Sequence, residues 1–170
     1  LLESVEGKEK TARYSFLGIN HSLVFKSKGR QITLITSDKK EETFETKKDP
    51  LAELENILNR FKQPPVKGLP PFSGGAVGYL GYDAVRFFEK IPDKNKSSLD
   101  LPDSIFIFTD FLYSFDHWTK KIKVIVNVNL NNFKSPEEAY EYSLVRIEEA
   151  VRRLRQAQVP VVSGGFEKKS

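Results

Sequence analysis

SIFIFTDFLYSFDH, residues 104–117, and KIKVIVNVNL, residues 121–130, decide the fold. Both runs are dense in β-branched and aromatic residues, which fit a pleated, half-buried surface. Only Trp118, Thr119 and Lys120 separate them, and a connection that short turns the chain back on itself. The spacing predicts an antiparallel hairpin turning at His117-Trp118-Thr119-Lys120. Further strands are expected on the N-terminal side. RYSFLGIN, SLVFKSK, QITLITSD and EETFETK follow one another from Arg13, divided by turn signals at Lys28-Gly29 and Asp38-Lys39.

Two helices interrupt the strands. Asp49 reads as an N-cap with Pro50 in the first helical position. Leu51, Leu54, Ile57, Leu58 and Phe61 then recur at helical spacing, and Pro64-Pro65 stop the run. Ser135-Pro136-Glu137-Glu138 is a capping-box pattern. The helix it opens carries Ala139, Leu144, Ile147, Val151 and Leu154 near one face. Arg152, Arg153 and Arg155 gather near its C-terminal end, where the helix dipole favours cations. The expected fold class is α+β, a mainly antiparallel sheet with two main helices. Strands are expected within 13–35, 74–81, 104–115 and 121–129, and helices over 50–61 and 136–156.

Composition narrows the function. A chain of 170 residues suits one domain with a tail, and 39% hydrophobic residues are enough for a core. There is no Cys, so neither a disulfide framework nor a Cys-based zinc site can exist. The absence of Cys and Met beside many Lys and Glu is also a composition seen in thermophiles. The net charge of +4 comes from Lys and Arg interleaved with acids, which reads as a solvated surface. No motif points to nucleic acid, and no apolar run or signal peptide points to a membrane.

No catalytic set emerges. His21 and His117 fall near expected turns and read as surface histidines. No HxxH, nucleophile elbow or P-loop is present. The pairs Glu41-Glu42, Glu137-Glu138 and Glu148-Glu149 read as solvated faces. GGAVGYLGYD, residues 74–83, is glycine-rich, yet neither a Lys-Ser/Thr pair nor a long helix follows it. It reads better as a strand whose glycines admit a close backbone, with Phe72, Tyr79 and Tyr82 adding apolar area to the core. IPDKNKSSLDLPD, residues 91–103, is expected to be an exposed loop.

LLESVEGKEKTARYSFLG, residues 1–18, begins without Met and reads as the interior of a longer polypeptide. Leu1 and Leu2 are expected to be buried. Glu3 and Ser4 fit ordinary strand-end polar residues. Equally, Glu3 suits an ammonium group and Arg13 a carboxylate, so strand pairing could assemble a site for a zwitterion.

This stretch, together with PPFSGGAVGYLGYDAVRFFEKIP (residues 70–92), resembles the N-terminal domain of anthranilate synthase component I. Aminodeoxychorismate synthase component I is the near relative; LLESVEG followed by RYSFLG leans toward anthranilate synthase. The resemblance runs from Leu1 to about Gln156, with 157–170 left as a linker or an expression remnant. It implies a truncated tryptophan-regulatory domain over 1–156 and a chorismate-binding C-terminal domain outside this chain. It further implies a cytoplasmic lyase that takes chorismate and ammonia to anthranilate and pyruvate in tryptophan biosynthesis, with tryptophan as feedback inhibitor. Magnesium would belong to the domain not present here, and the ammonia would come from a glutamine amidotransferase subunit, component II. On this chain the resemblance places no catalytic, cofactor or metal residue. It does place Ser4 at the tryptophan site, with Glu3, Leu2, Arg13 and Tyr14 around it. The fragment alone is expected to be inactive. The alternatives are the same domain of aminodeoxychorismate synthase, in folate synthesis, or a free-standing ligand-binding module.

Overall fold

Strands β2 (Tyr14–Lys28) and β6 (Ser104–Asp116) run antiparallel along almost their whole lengths and form the spine of the sheet. These and all other details come from a computed structural model that describes residues 1–3, 13–92 and 100–156. Strand β3 (Gln31–Thr36) pairs with the second half of β2, and β4 (Glu41–Glu45) lies outside β3. Strand β1 (Leu2–Glu3) pairs with the first half of β2. On the other side, β5 (Gly75–Leu80) pairs with Ser104–Thr109, and β7 (Lys121–Val126) with Phe111–Asp116. Each of these pairings is antiparallel.

The spine is irregular over Gly18–Leu23, where its register shifts three times. Asn20 faces Phe111 and His21 faces Thr109, so Asp110 is an extra residue on β6; Ile19 and Ser22 are extra on β2. These are β-bulges, which bend a strand and shift its alternation by one. The shift decides how the helices are arranged. Without it, Phe108 and Phe111 would point to opposite faces. With it, both point to the same face, where Phe108 meets helix α1 (Pro50–Leu58) and Phe111 meets helix α2 (Pro136–Gln156). Both helices therefore cover one face of the sheet.

Two cores result. Phe25, Ile32 and Phe108 pack on Leu54 and Ile57 of α1. Phe25 and Phe108 are 0% and 2% exposed, and each such side chain contributes up to about 3 kcal/mol by leaving water. Phe111 and Tyr113 pack on Ala150 of α2, with Leu154 alongside. Ala139 and Ala150 are spaced three helical turns apart and are both buried, so small residues set the close approach of α2. The helix starts follow their sequence signals. Ala52 N donates to Asp49 Oδ1 at 2.8 Å, and Glu138 N donates to Ser135 Oγ at 3.2 Å. Glu138 reaches back to Lys134 N at 2.8 Å, one residue beyond the usual capping-box partner.

Some expectations need correction. Leu1 and Leu2 are 78% and 43% exposed, because β1 is an edge strand that no helix among the described residues covers. Tyr79 and Tyr82 are 44% and 86% exposed and add little to the core. Tyr79 follows the outer face of β5, and Tyr82 opens a 3-10 turn, Tyr82–Phe87, on the surface. His21 sits within β2 at the bulge, not at a turn. The last expected strand ends at Val126, where Asn127 N donates to Asp110 O at 2.7 Å. Helix α1 gives way at Asn59 to a 3-10 turn that ends at Phe61. Ser4, residues 93–99 of the expected loop and the tail 157–170 lie outside the described residues.

Candidate functional site

The LLES strand rests on the start of β2, with Leu2 opposite Phe16 and Glu3 opposite Ser15. Immediately beyond this pairing lies a polar cluster at the β6–β7 hairpin. Arg13 forks onto Asp116, with Nε to Oδ1 at 3.1 Å and Nη2 to Oδ2 at 2.6 Å. Asp116 Oδ1 also accepts from Trp118 N and Thr119 N, both at 3.1 Å. The Arg13 guanidinium lies over two rings, 4.8 Å from the Tyr14 centroid and 5.2 Å from that of Trp118. Cations sit favourably over such rings. His117 N donates to Arg13 O at 2.8 Å, and the His117 Nε2 and Ser15 Oγ atoms are 2.7 Å apart.

The electrostatics match the geometry. The Arg13 hydrogen bonds hold the Asp116 carboxyl well below the usual carboxylate range, against burial, which pushes it up; the Thr119 and Trp118 amides assist Arg13. In return, the Asp116 hydrogen bond raises Arg13. Asp116 has its side chain 3% exposed against 33% for Arg13, so the acid is the buried partner and the cation its lid.

On the other side of β1 is a groove of about 280 Å³. Leu2, Phe16, Phe72 and Leu112 give it apolar walls, and Asn20, His21 and Thr109 line its bulged end. Phe72 reaches it from the loop before β5 and meets Phe16 edge-on at 5.5 Å. That loop is tied down where Asn127 Nδ2 donates to Ser73 O at 2.7 Å and Lys123 Nζ donates to Gly68 O. Gly18 keeps the groove open, since a Cβ there would come within 3.0 Å of Thr109 Cγ2. Two buried hydroxyls on this face, Thr109 Oγ1 and Ser114 Oγ, have no hydrogen-bond partner among the described residues.

The structure therefore brings Leu2, Glu3, Arg13 and Tyr14 to one end of the sheet. Arg13 is already engaged with a carboxylate of the chain itself. Sequence reasoning missed Asp116, Trp118 and Phe72. Asp116 lies 103 positions from Arg13 and looked like an ordinary hairpin residue, so no local signal linked the two. Among the described residues, no three His, Asp or Glu side chains come together to hold a metal ion. Among the same residues, no helix is long and apolar enough to cross a membrane.

Comparison with known proteins gives the same direction throughout. The chain is 40% identical to anthranilate synthase component 1 of Pseudomonas aeruginosa, over 94% of its own length and 32% of the relative's. It is 35% identical to a probable anthranilate synthase component 1 of Schizosaccharomyces pombe, over 100% of its length and 32% of the relative's. The crystal structure of anthranilate synthase component I from Streptococcus pneumoniae superposes with a TM-score of 0.62 at 26% identity, covering 94% of this chain and 32% of that one. The chain thus spans about a third of the length of the curated relatives it matches. A profile described as chorismate binding enzyme matches residues 6–164, nearly the whole sequence, and the chain belongs to that family.

Proposed function

We propose that these 170 residues are the N-terminal, effector-binding domain of an anthranilate synthase large subunit. In this reading the longer polypeptide converts chorismate and ammonia to anthranilate and pyruvate with magnesium. A glutamine amidotransferase subunit supplies the ammonia, and tryptophan bound beside β1 inhibits. The observation that carries the reading is the placement of β1. An acid-bearing edge strand lies between an apolar groove and a cation–carboxylate cluster. A flat apolar side chain suits the groove, and the ammonium of an amino acid suits Glu3. Ser4 follows Glu3 in the chain and offers one hydroxyl; Leu2, Tyr14 and Arg13 complete the surroundings.

The helix-free face of the sheet supports a missing partner domain. Val24, Val77 and Ile107 share it, and Ile107 is 43% exposed although it sits mid-strand. Such a face suits packing against the remaining two thirds of a longer polypeptide. The lyase chemistry is assigned to that remainder, so the 170-residue chain given chorismate, magnesium and ammonia should yield no anthranilate fluorescence above the blank.

Tryptophan titration of the intact enzyme tests the reading. Ser4→Ala is expected to weaken inhibition, because one hydrogen bond to a charged ligand group is worth about 1.5–3 kcal/mol. That corresponds to roughly a ten- to hundredfold rise in the half-inhibitory concentration. The effector acts through its preference for one conformation, so weaker binding moves the curve and not the chemical step. Superimposed curves would remove Ser4 from the site. Aminodeoxychorismate as the product would overturn the assignment to anthranilate synthase.

A further inference from the structure

Arg13 is the obvious receptor for an effector carboxylate, yet two of its five N–H donors are already committed. Nε and Nη2 both donate to Asp116, and the guanidinium lies over the rings of Tyr14 and Trp118. Asp116 in turn takes two bonds from Arg13 and one each from the Trp118 and Thr119 amides. The backbone closes the same unit, since His117 N donates to Arg13 O at 2.8 Å. The first residues of β2 are therefore clamped to the hairpin from both side chain and backbone. Ser15 and Phe16, the next two residues, are the partners that set the register of Glu3 and Leu2. Among the described residues β1 pairs through these two positions, so where β2 begins bears directly on the register of Leu2 and Glu3.

We propose that Asp116 is a positioning residue for the effector strand. By holding Arg13 over the rings of Tyr14 and Trp118 it fixes the stretch of β2 on which Leu2 and Glu3 are registered, and Arg13 supports the site from behind without receiving the ligand's carboxylate. The proposal rests on the effector reading given above, and it deepens that reading by naming what holds the strand. A fork onto a planar carboxylate is a task for which Lys cannot replace Arg, because an ammonium has no fixed pair of donors. A direct carboxylate receptor would tolerate Lys better.

Two measurements on the intact enzyme test this. In the first, tryptophan inhibition is titrated for wild type, Asp116→Asn, Arg13→Lys and the double variant, each referenced to its own uninhibited rate. The expected result is a rise of about tenfold or more in the half-inhibitory concentration for each single variant, the scale of one charge-assisted bond. The double variant should be no worse than the poorer single one, because both remove the same clamp. An unchanged or lower value in Asp116→Asn, beside a raised value in Arg13→Lys, would overturn the proposal, since freeing Arg13 would then have served the ligand. In the second, amide hydrogen exchange is followed without tryptophan. Asp116→Asn should speed exchange in the peptide carrying Leu2 and Glu3 while α1 keeps its protection. Unchanged exchange at β1, or acceleration that includes α1, would overturn the positioning role. If Asp116→Asn does not fold, Trp118→Leu is the milder variant. It removes one ring from an exposed position and should give a smaller shift of the same sign. A wild-type enzyme indifferent to tryptophan would defeat the effector reading alone, and the exchange result would still decide whether Asp116 holds β1.

Discussion

Gly78 lies so close to its partner strand that a Cβ on it would come within 2.7 Å of the Phe106 Cα. The same methyl group would also meet the Ile105 backbone, which has no flexible end to move aside. Gly78→Ala should therefore push β5 away from β6 and cost at least about 2 kcal/mol, the range of an overpacked core. Gly68→Ala is the control. Gly68 has φ +90° and nothing within 4 Å, so only the backbone preference is lost, about 1–2 kcal/mol. Urea unfolding of both variants should rank them in that order.

Asp49 caps α1 with one side-chain bond, 2.8 Å from Ala52 N. Asp49→Ala should lower stability by about 1 kcal/mol. Asp49→Asn should recover most of it, because the amide oxygen can accept the same bond. Paired denaturant curves at neutral pH check both.

The Asp116 carboxyl is held below the usual range by Arg13, and that fixes a sign for its pH dependence. A carboxyl whose pKa is depressed in the folded state stabilises the fold above its unfolded pKa, about 3.9. The contribution is lost as pH falls from there through the folded pKa. Wild type should thus exceed Asp116→Asn in stability by a constant margin from pH 7 to about pH 5, and the margin should shrink below about pH 4. Urea midpoints across that range, read as differences, test the sign. A margin that grew on acidification would contradict it.

Ile107 stands 43% exposed on the helix-free face. Uncovered apolar area of this kind drives association, so the 170-residue chain by itself should sediment heavier as its concentration rises. Ile107→Glu should reduce that dependence and leave the melting temperature nearly unchanged, since the side chain belongs to neither core.

The elements that carry the fold could be read because each is announced locally. Asp49-Pro50 and Ser135-Pro136 start the helices, and the four residues 117–120 close the hairpin. Gly78 also follows its local sequence, as a residue where another backbone comes near. What stayed hidden depends on residues far apart in the chain. Nothing beside Asp110 marks it as an extra residue, because the bulge exists only in relation to Asn20 and His21 on β2. The clamp on Arg13 was hidden for the same reason. Leu1 and Leu2 misled because their hydrophobicity implies a cover, and no described element covers β1.

The bulge at Asp110 makes β6 sensitive to length in a way it is not sensitive to composition. A polar or small replacement of Asp110 leaves the number of residues intact, and Phe108 and Phe111 still share a face. Removing Asp110 itself would take out only the extra residue, and Phe108 and Phe111 would then stand two positions apart and keep to one face by ordinary strand alternation. Adding a residue there is the damaging change. Phe111, Tyr113 and Phe115 would turn away from α2, and Leu112 and Ser114 would take their places. Genetic selection on this strand should accordingly accept many substitutions at position 110, and even its loss, but not a single added residue.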